Sequence, residues 1–230
     1  MNEKQRSITH AVKAAFPHTI PVLTGFLVLG IAYGVLMQSK GYGAPWVLLM
    51  SGVAYCGSMQ FVAITLLVSA FDPLSALLMS LMVNARHLFY GVSMLGKYRG
   101  MGWKKPLLIY TLCDETFSIV SSVEPPEDVD RSSFYLAVSL LDYFYWLGGT
   151  LLGAVAGRFI TFDTTGLDFA LTCLFVVLFI EQVKAPQNRA SGIIGLVCTV
   201  VALVVFGADN VVIPAMVLVL VVLLLGRKKL

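Results

Sequence analysis

Asn84, Arg86 and His87 interrupt an otherwise apolar stretch from Pro73 to Leu95, and Asp114 and Glu115 stand side by side in another, residues 104–123. A guanidinium stays charged, and at the centre of a bilayer it costs at least about 2.5–3.5 kcal/mol even on the lenient insertion scale. A chain keeps such a group where it faces a partner, a water-filled cavity or a ligand. Two readings follow for Arg86: an internal ion pair that ties helices together, or a station on the path of a solute.

The two acids are the natural counter-charges. Thr111, Asp114, Glu115, Ser118, Ser121 and Ser122 fall at the i, i+3, i+4, i+7, i+10, i+11 spacing of one helical face, so a spanning helix over 104–123 would carry a polar stripe turned away from lipid. Adjacent helical residues point about 100° apart, so one arginine does not engage both acids fully, and the second is available for a proton or a cationic substrate group. His87, next to a positive charge, is a hydrogen-bonder or a proton relay. Asn84, His87 and Gly91 share one face of their helix, and Arg86, Tyr90 and Ser93 share the next. Asp142, beside Tyr143, Tyr145 and Trp146, has an open role, and Glu181 and Gln182 mark the end of another apolar segment.

The elements that position these groups follow from composition. The 230 residues are 58% hydrophobic and 13% charged, against about a quarter charged in a soluble domain, and several apolar runs reach the ~20 residues that cross hydrocarbon. The chain is a polytopic membrane protein, all-α, forming a single transport domain over 1–230. Its net charge of +3 comes from loop residues that flank membrane segments and is no nucleic-acid signal. Cys56, Cys113, Cys173 and Cys198 all lie in apolar segments without metal-ligand spacing and read as packing residues.

Eight apolar segments stand out, at 18–37, 46–70, 73–95, 104–123, 133–155, 166–183, 190–206 and 211–225. Lys4, Arg6 and Lys13 place the N-terminus in the cytoplasm, and Lys97, Arg99, Lys104 and Lys105 ask for the same side. Three crossings between them would misplace the second group. Segment 46–70, with Tyr55-Cys56-Gly57-Ser58-Met59-Gln60 at its centre, is therefore expected to be broken or re-entrant. If 166–183 is broken too, six full crossings and two broken segments satisfy every basic cluster, with both termini cytoplasmic and the acidic loop Glu124, Glu127, Asp128 and Asp130 outside. Gly25, Gly30 and Gly34 recur as Gly148, Gly153 and Gly157, which suggests inverted halves at 18–123 and 133–225, a secondary-transporter pattern.

The sequence has no HExxH, no Gly-x-Ser-x-Gly elbow, no phosphate-binding loop and no Cys/His metal cluster, so no catalytic residue, cofactor or metal ligand is assigned. Tyr55-Cys56-Gly57-Ser58-Met59-Gln60-Phe61, Asn84-Ala85-Arg86-His87-Leu88-Phe89-Tyr90-Gly91 and Cys113-Asp114-Glu115-Thr116-Phe117 resemble the AzlC (azaleucine resistance) family, as do Gly30-Ile31-Ala32-Tyr33-Gly34 and Trp146-Leu147-Gly148-Gly149-Thr150. Position 56 is Cys where Ala is frequent, and position 84 is Asn where Asp also occurs. The resemblance implies the large subunit of a branched-chain amino-acid exporter in a bacterial plasma membrane, working with a small AzlD-type membrane subunit. The expected substrate contacts are Asn84, Arg86, Gly57, Ser58, Gln60 and Tyr90, with Asp114, Glu115 and His87 in proton coupling or ion pairing. The alternatives are a non-transporting membrane scaffold and an exporter of another small carboxylate.

Overall fold

A computed structural model of the protein describes residues 3–68, 72–159, 189–207 and 211–226, together with Val176, Phe179, Ile180, Val183, Lys184 and Pro186. The described residues are helical, without a strand, and fall into two compact units, Met1–Leu167 and Asp168–Leu230. The first contains α1 (Glu3–Ser39), α2 (Ala44–Val53), α3 (Gly57–Val68), α4 (Pro73–Met94), α5 (Lys104–Tyr110), α6 (Asp114–Ser122) and α7 (Arg131–Ala156). The second contains α8 (Arg189–Phe206) packed on α9 (Val212–Gly226). Three of these, Ile8–Ser39 of α1, α7 and α8, are long and apolar enough to cross a membrane. The 22 residues of α4 are also long enough.

Segment 46–70 is broken, as expected, at Ala54-Tyr55-Cys56, and Tyr55 takes a positive φ of 39°. The two pieces fold back on each other. Gln60 Nε2 donates to Ser51 Oγ at 3.0 Å just above the break, and at the far ends Tyr42 OH donates to the Leu67 carbonyl at 2.9 Å. A straight helix would put residues 42 and 67 nearly 40 Å apart at ~1.5 Å per residue, so this is a re-entrant hairpin. Its ten-residue α2 is about 15 Å long, half of a ~30 Å hydrocarbon core.

Segment 104–123, expected to be one crossing helix, is broken as well, at Thr111-Leu112-Cys113. Thr111 therefore stands apart from the polar stripe, and Asp114 and Glu115 open α6 instead of sitting mid-helix. The ends of this second hairpin return to one face of the unit. At its entrance Lys104 Nζ is bound by Ser132 Oγ at 2.7 Å and lies 3.5 Å from Asp130, and at its exit Lys97 Nζ is bound by the Val120 and Ser121 carbonyls and lies 3.6 Å from Glu124.

α1 and α7 run side by side in the same direction. Their beginnings meet through His18 and Phe134, their middles through Phe26 and Trp146, and their ends through Gln38 and Gly157. Of the recurring glycines, Gly30, Gly34, Gly153 and Gly157 lie in this contact together with Gly149, while Gly25 and Gly148 do not: a Cβ on Gly30 would lie 2.9 Å from the Gly149 carbonyl carbon, and one on Gly149 would lie 2.6 Å from the Phe26 oxygen. Only small residues allow backbones to approach so closely. Parallel α1 and α7 also mean that the acidic loop shares the face of the N-terminus, where His10 lies 3.4 Å from Asp128. The expectation that this loop lies opposite is corrected, because it rested on 104–123 crossing.

One long helix and one helical hairpin thus follow each other twice, in opposite directions: α1 with α2/α3, then α4 with α5/α6. Tyr33-Gly34-Val35 returns as Tyr90-Gly91-Val92 and Cys56 as Cys113, both 57 positions on (33 to 90, 56 to 113). The expected break in 166–183, with Glu181 and Gln182, lies outside the described residues apart from Val176, Phe179, Ile180 and Val183.

Two outcomes check this arrangement. Gly30→Leu should destabilise the protein in detergent by ~1–3 kcal/mol through overpacking, while Gly148→Ala, where a Cβ meets nothing within 4 Å, should leave thermal unfolding unchanged. Asp130 caps α7 by accepting from the Ser133 N–H at 2.9 Å, and the Ser132 and Ser133 hydroxyls hold its carboxyl well below the usual carboxylate range. A depressed folded value gives stability that is present above the unfolded value of about 3.9 and is lost as pH falls below it. Asp130→Ala should cost about 1 kcal/mol at neutral pH and flatten that acid dependence of the unfolding temperature.

Candidate functional site

The site is the place where the two hairpin tips meet. Tyr110, the last residue of α5, donates its hydroxyl to the Gly52 carbonyl and, at 3.0 Å, to the Val53 carbonyl. Tyr143 of α7 also donates to the Gly52 carbonyl, at 2.9 Å. These carbonyls end α2 and have no intrahelical donor, and hydrocarbon would offer no water to supply one. The two tyrosines therefore make the break tenable. Tyr55 OH meets Cys113 Sγ at 3.8 Å from tip to tip.

α3 begins at Gly57 and runs away from the crossing toward one face, and α6 begins at Asp114 and runs toward the other. The first turns of both half-helices, with backbone N–H groups that have no intrahelical acceptor and the positive ends of two helix dipoles, are thereby turned toward one region. Such ends suit carboxylates. Asp114 occupies the first position of α6, where a negative charge is worth roughly 0.3–1 kcal/mol.

Arg86 joins the two tips. Its Nη1 lies 2.5 Å from Asp114 Oδ2 and its Nη2 donates to Ser58 Oγ at 2.6 Å. It sits thirteen residues after Pro73 and eight before Met94, about 20 and 12 Å from the ends of α4. The pair is accessible from the unit's surface, with 38% of the Arg86 and 33% of the Asp114 side chain exposed. Around it three polar atoms are buried without a partner: Arg86 Nε, His87 Nδ1 and Asp114 Oδ1. A charged pair with spare donors and acceptors on both partners can exchange its contacts for those of a ligand.

The other expected residues divide by what already holds them. Asn84 Oδ1 accepts from Cys56 Sγ at 2.9 Å, which places it against the first tip. Tyr90 stacks on Phe117 of α6, ring centroids 4.4 Å apart, and meets His87 edge-on. Gly57 packs under the Trp146 indole, where a Cβ would come within 3.2 Å. Gln60 is fully buried and committed at both ends of its amide, to Ser51 Oγ and, at 2.8 Å, to Trp146 Nε1–H. It braces the first hairpin against α7. Glu115 is half-buried at the second position of α6. No group of three His, Cys, Asp or Glu suited to a metal occurs among the described residues.

Sequence reasoning missed the tyrosine clamps and the link from Thr116 to Asp142, whose Oδ2 accepts from Thr116 Oγ1 at 2.7 Å. No spacing in the chain announces them, because each joins residues more than twenty-five positions apart. The acidic first turn of α6 was a legible helix-start signal, masked by the longer polar periodicity.

The model of the AzlC protein family matches residues 21–160, from α1 to the end of α7. The chain belongs to the AzlC family. It is 48% identical over 227 residues to the branched-chain amino acid transport protein AzlC of Bacillus subtilis (strain 168), covering 99% of this chain and 89% of that one. It is 40% identical to an uncharacterized membrane protein of Helicobacter pylori (strain ATCC 700392 / 26695), covering 96% of each. To the inner membrane protein YgaZ of Escherichia coli (strain K12) it is 22% identical over 81% of this chain and 76% of that one. No solved structure matches. The matched region holds both hairpins and all of the Arg86 site.

Removing one partner of the central pair gives the energetic check. Asp114→Asn leaves the Arg86 charge on Ser58 alone and should cost ~1–3 kcal/mol, below the 3–5 of a fully buried pair because both side chains are partly exposed. Adding Arg86→Gln should recover part of that loss in a double-mutant cycle of thermal unfolding.

Proposed function

We propose that the protein is a secondary transporter that exports branched-chain or other apolar amino acids across a bacterial plasma membrane, driven by protons and acting with a small AzlD-type membrane subunit. The observation that carries this reading is the Arg86–Asp114 pair held between two half-helix N-termini. A zwitterion fits such a pair without leaving a charge unmatched. Its carboxylate replaces Asp114 on the Arg86 guanidinium and reaches the N–H groups at Gly57 and Ser58, while its ammonium takes the freed Asp114 or its neighbour Glu115. One ion pair becomes two, so opening the pair exposes no bare charge at mid-depth.

The remaining residues set the surroundings. Asn84 and His87 add hydrogen-bonding capacity on α4, and Tyr90 with Phe117 supplies apolar surface for the side chain. Gln60 acts by holding the first tip in place. The basic residues support the orientation: Lys97 and Lys104 lie on the face where α1 begins, and an excess of lysine and arginine marks the cytoplasmic side. The relative from Bacillus subtilis, named for branched-chain amino acid transport, supports the substrate class.

Proteoliposomes loaded with labelled valine, with and without the small subunit, test the reading. Wild type should release valine, with leucine and isoleucine competing and small carboxylates without an ammonium failing to compete. Arg86→Ala should raise the half-saturating valine concentration roughly 10- to 100-fold, the value of a charge-assisted hydrogen bond of ~1.5–3 kcal/mol. No wild-type flux would point to a non-transporting scaffold, and wild-type rates in Arg86→Ala would refute the site.

A further inference from the structure

We infer that Asp142 is the proton-carrying residue of the transport cycle, held on the face of α6 opposite the substrate pair. The inference rests on the transport reading above and gives its coupling a location. Asp142 is fully buried in the middle of α7. Its Oδ2 accepts one hydrogen bond, from Thr116 Oγ1 at 2.7 Å, and its Oδ1 has no partner. Ser139, one turn earlier on the same face, is also fully buried, and its Oγ has no partner. No lysine, arginine or histidine pairs with Asp142 among the described residues. A carboxylate with one donor and no counter-charge is among the costliest things a dry bundle can hold. The neutral acid avoids that cost.

The titratable groups that face Asp142 come from three elements: Glu115 on α6, Cys113 at the second tip and Tyr55 at the first. α1, which packs along α7, brings no titratable side chain between His18 and Tyr33, and α2 has none. Lys104 of α5 is engaged at the start of α7, about 15 Å along the helix from Asp142. A continuous polar chain then runs from α7 to both tips: Asp142 to Thr116, Thr116 to Cys113 Sγ at 3.2 Å, and Cys113 to Tyr55 OH at 3.8 Å.

Asp114 and Thr116 are two residues apart in the first turn of α6, so they point about 200° apart around it. One faces Arg86 and the other Asp142. A single short half-helix thus touches the substrate pair on one side and the proton site on the other. Displacing its tip breaks the Thr116–Asp142 bond and wets the carboxyl together with any change at Asp114. The proton then leaves Asp142 for water on the open side and is replaced from water on the other side when the displaced tip next opens there, before the tip returns and the bond re-forms. No redox change or bond to substrate is involved.

The test compares gradient-driven accumulation of labelled valine with valine counterflow at zero gradient, in proteoliposomes that contain whatever subunits wild type needs. Wild type should accumulate valine against a pH gradient. Asp142→Asn should retain measurable counterflow with a rate that no longer varies with pH, and should lose at least tenfold in accumulation. Asp142→Glu should restore part of it. Accumulation by Asp142→Asn at the wild-type level would overturn the inference while leaving transport standing, whereas absent wild-type counterflow would remove the transport reading itself. Accumulation driven by a sodium gradient at equal pH would also overturn it. If Asp142→Asn shows no counterflow or does not purify as a folded protein, Thr116→Val decides: removing the hydroxyl should shift the midpoint of the pH–rate profile by at least about half a unit, and an unmoved midpoint would overturn the assignment.

Discussion

Backbone polar groups freed at mid-depth must find partners inside the protein, and the rest of the first unit is arranged around that requirement. Each hairpin tip gives up helical hydrogen bonds where no water is at hand. The first tip is closed by hydroxyls from Tyr110 and Tyr143 on its terminal carbonyls, and Arg86 is bound to Ser58 and Asp114 in the opening turns of α3 and α6. The two breaks are tied together where they meet, by Tyr110 on the first tip's carbonyls and by Tyr55 against Cys113. Neither hairpin has a plausible structure without its counterpart and the helices α4 and α7 that carry Arg86 and Tyr143.

The packing that supports this crossing is correspondingly close. α1 and α7 approach through Gly30, Gly34, Gly149 and Gly153, where added side chains would strike backbone. That contact places Trp146 over Gly57 and lets its indole reach Gln60. A fixed frame of α1 and α7 therefore holds the first tip, while the second tip is tied to α4 through Arg86 and to α7 through Thr116 and Asp142. The functional readings follow from that difference. The second tip has contacts to ionisable side chains on two sides, and these can be exchanged for contacts with a substrate or a proton.

The loop ends are paired by charge. Glu124, Asp128 and Asp130 meet Lys97, His10 and Lys104 on one face. Basic residues dominate topology and acidic ones follow, so an acidic loop beside a basic one is no contradiction. It is a local neutralisation that also caps α7.

The sequence by itself determined the class of the protein, the need of Arg86 for a partner, the two acids from which Asp114 supplies it, and the break around Tyr55-Cys56. Each of these follows from composition, from the cost of charge in hydrocarbon, or from a small polar run too disruptive for a continuous helix. The break at 111–113 was not legible, because Lys104 to Val123 has the length and polar periodicity of a crossing helix, and nothing local distinguishes a straight helix from two short ones that turn back. The parallel packing of α1 and α7 requires it, since with 46–70 folded back that direction is possible only if one of the two remaining segments turns back as well. Likewise the shared face of the N-terminus and the acidic loop, the tyrosine clamps and the Thr116–Asp142 link depend on contacts between distant residues. Such contacts belong to the three-dimensional arrangement of helices, which pattern along the chain does not encode.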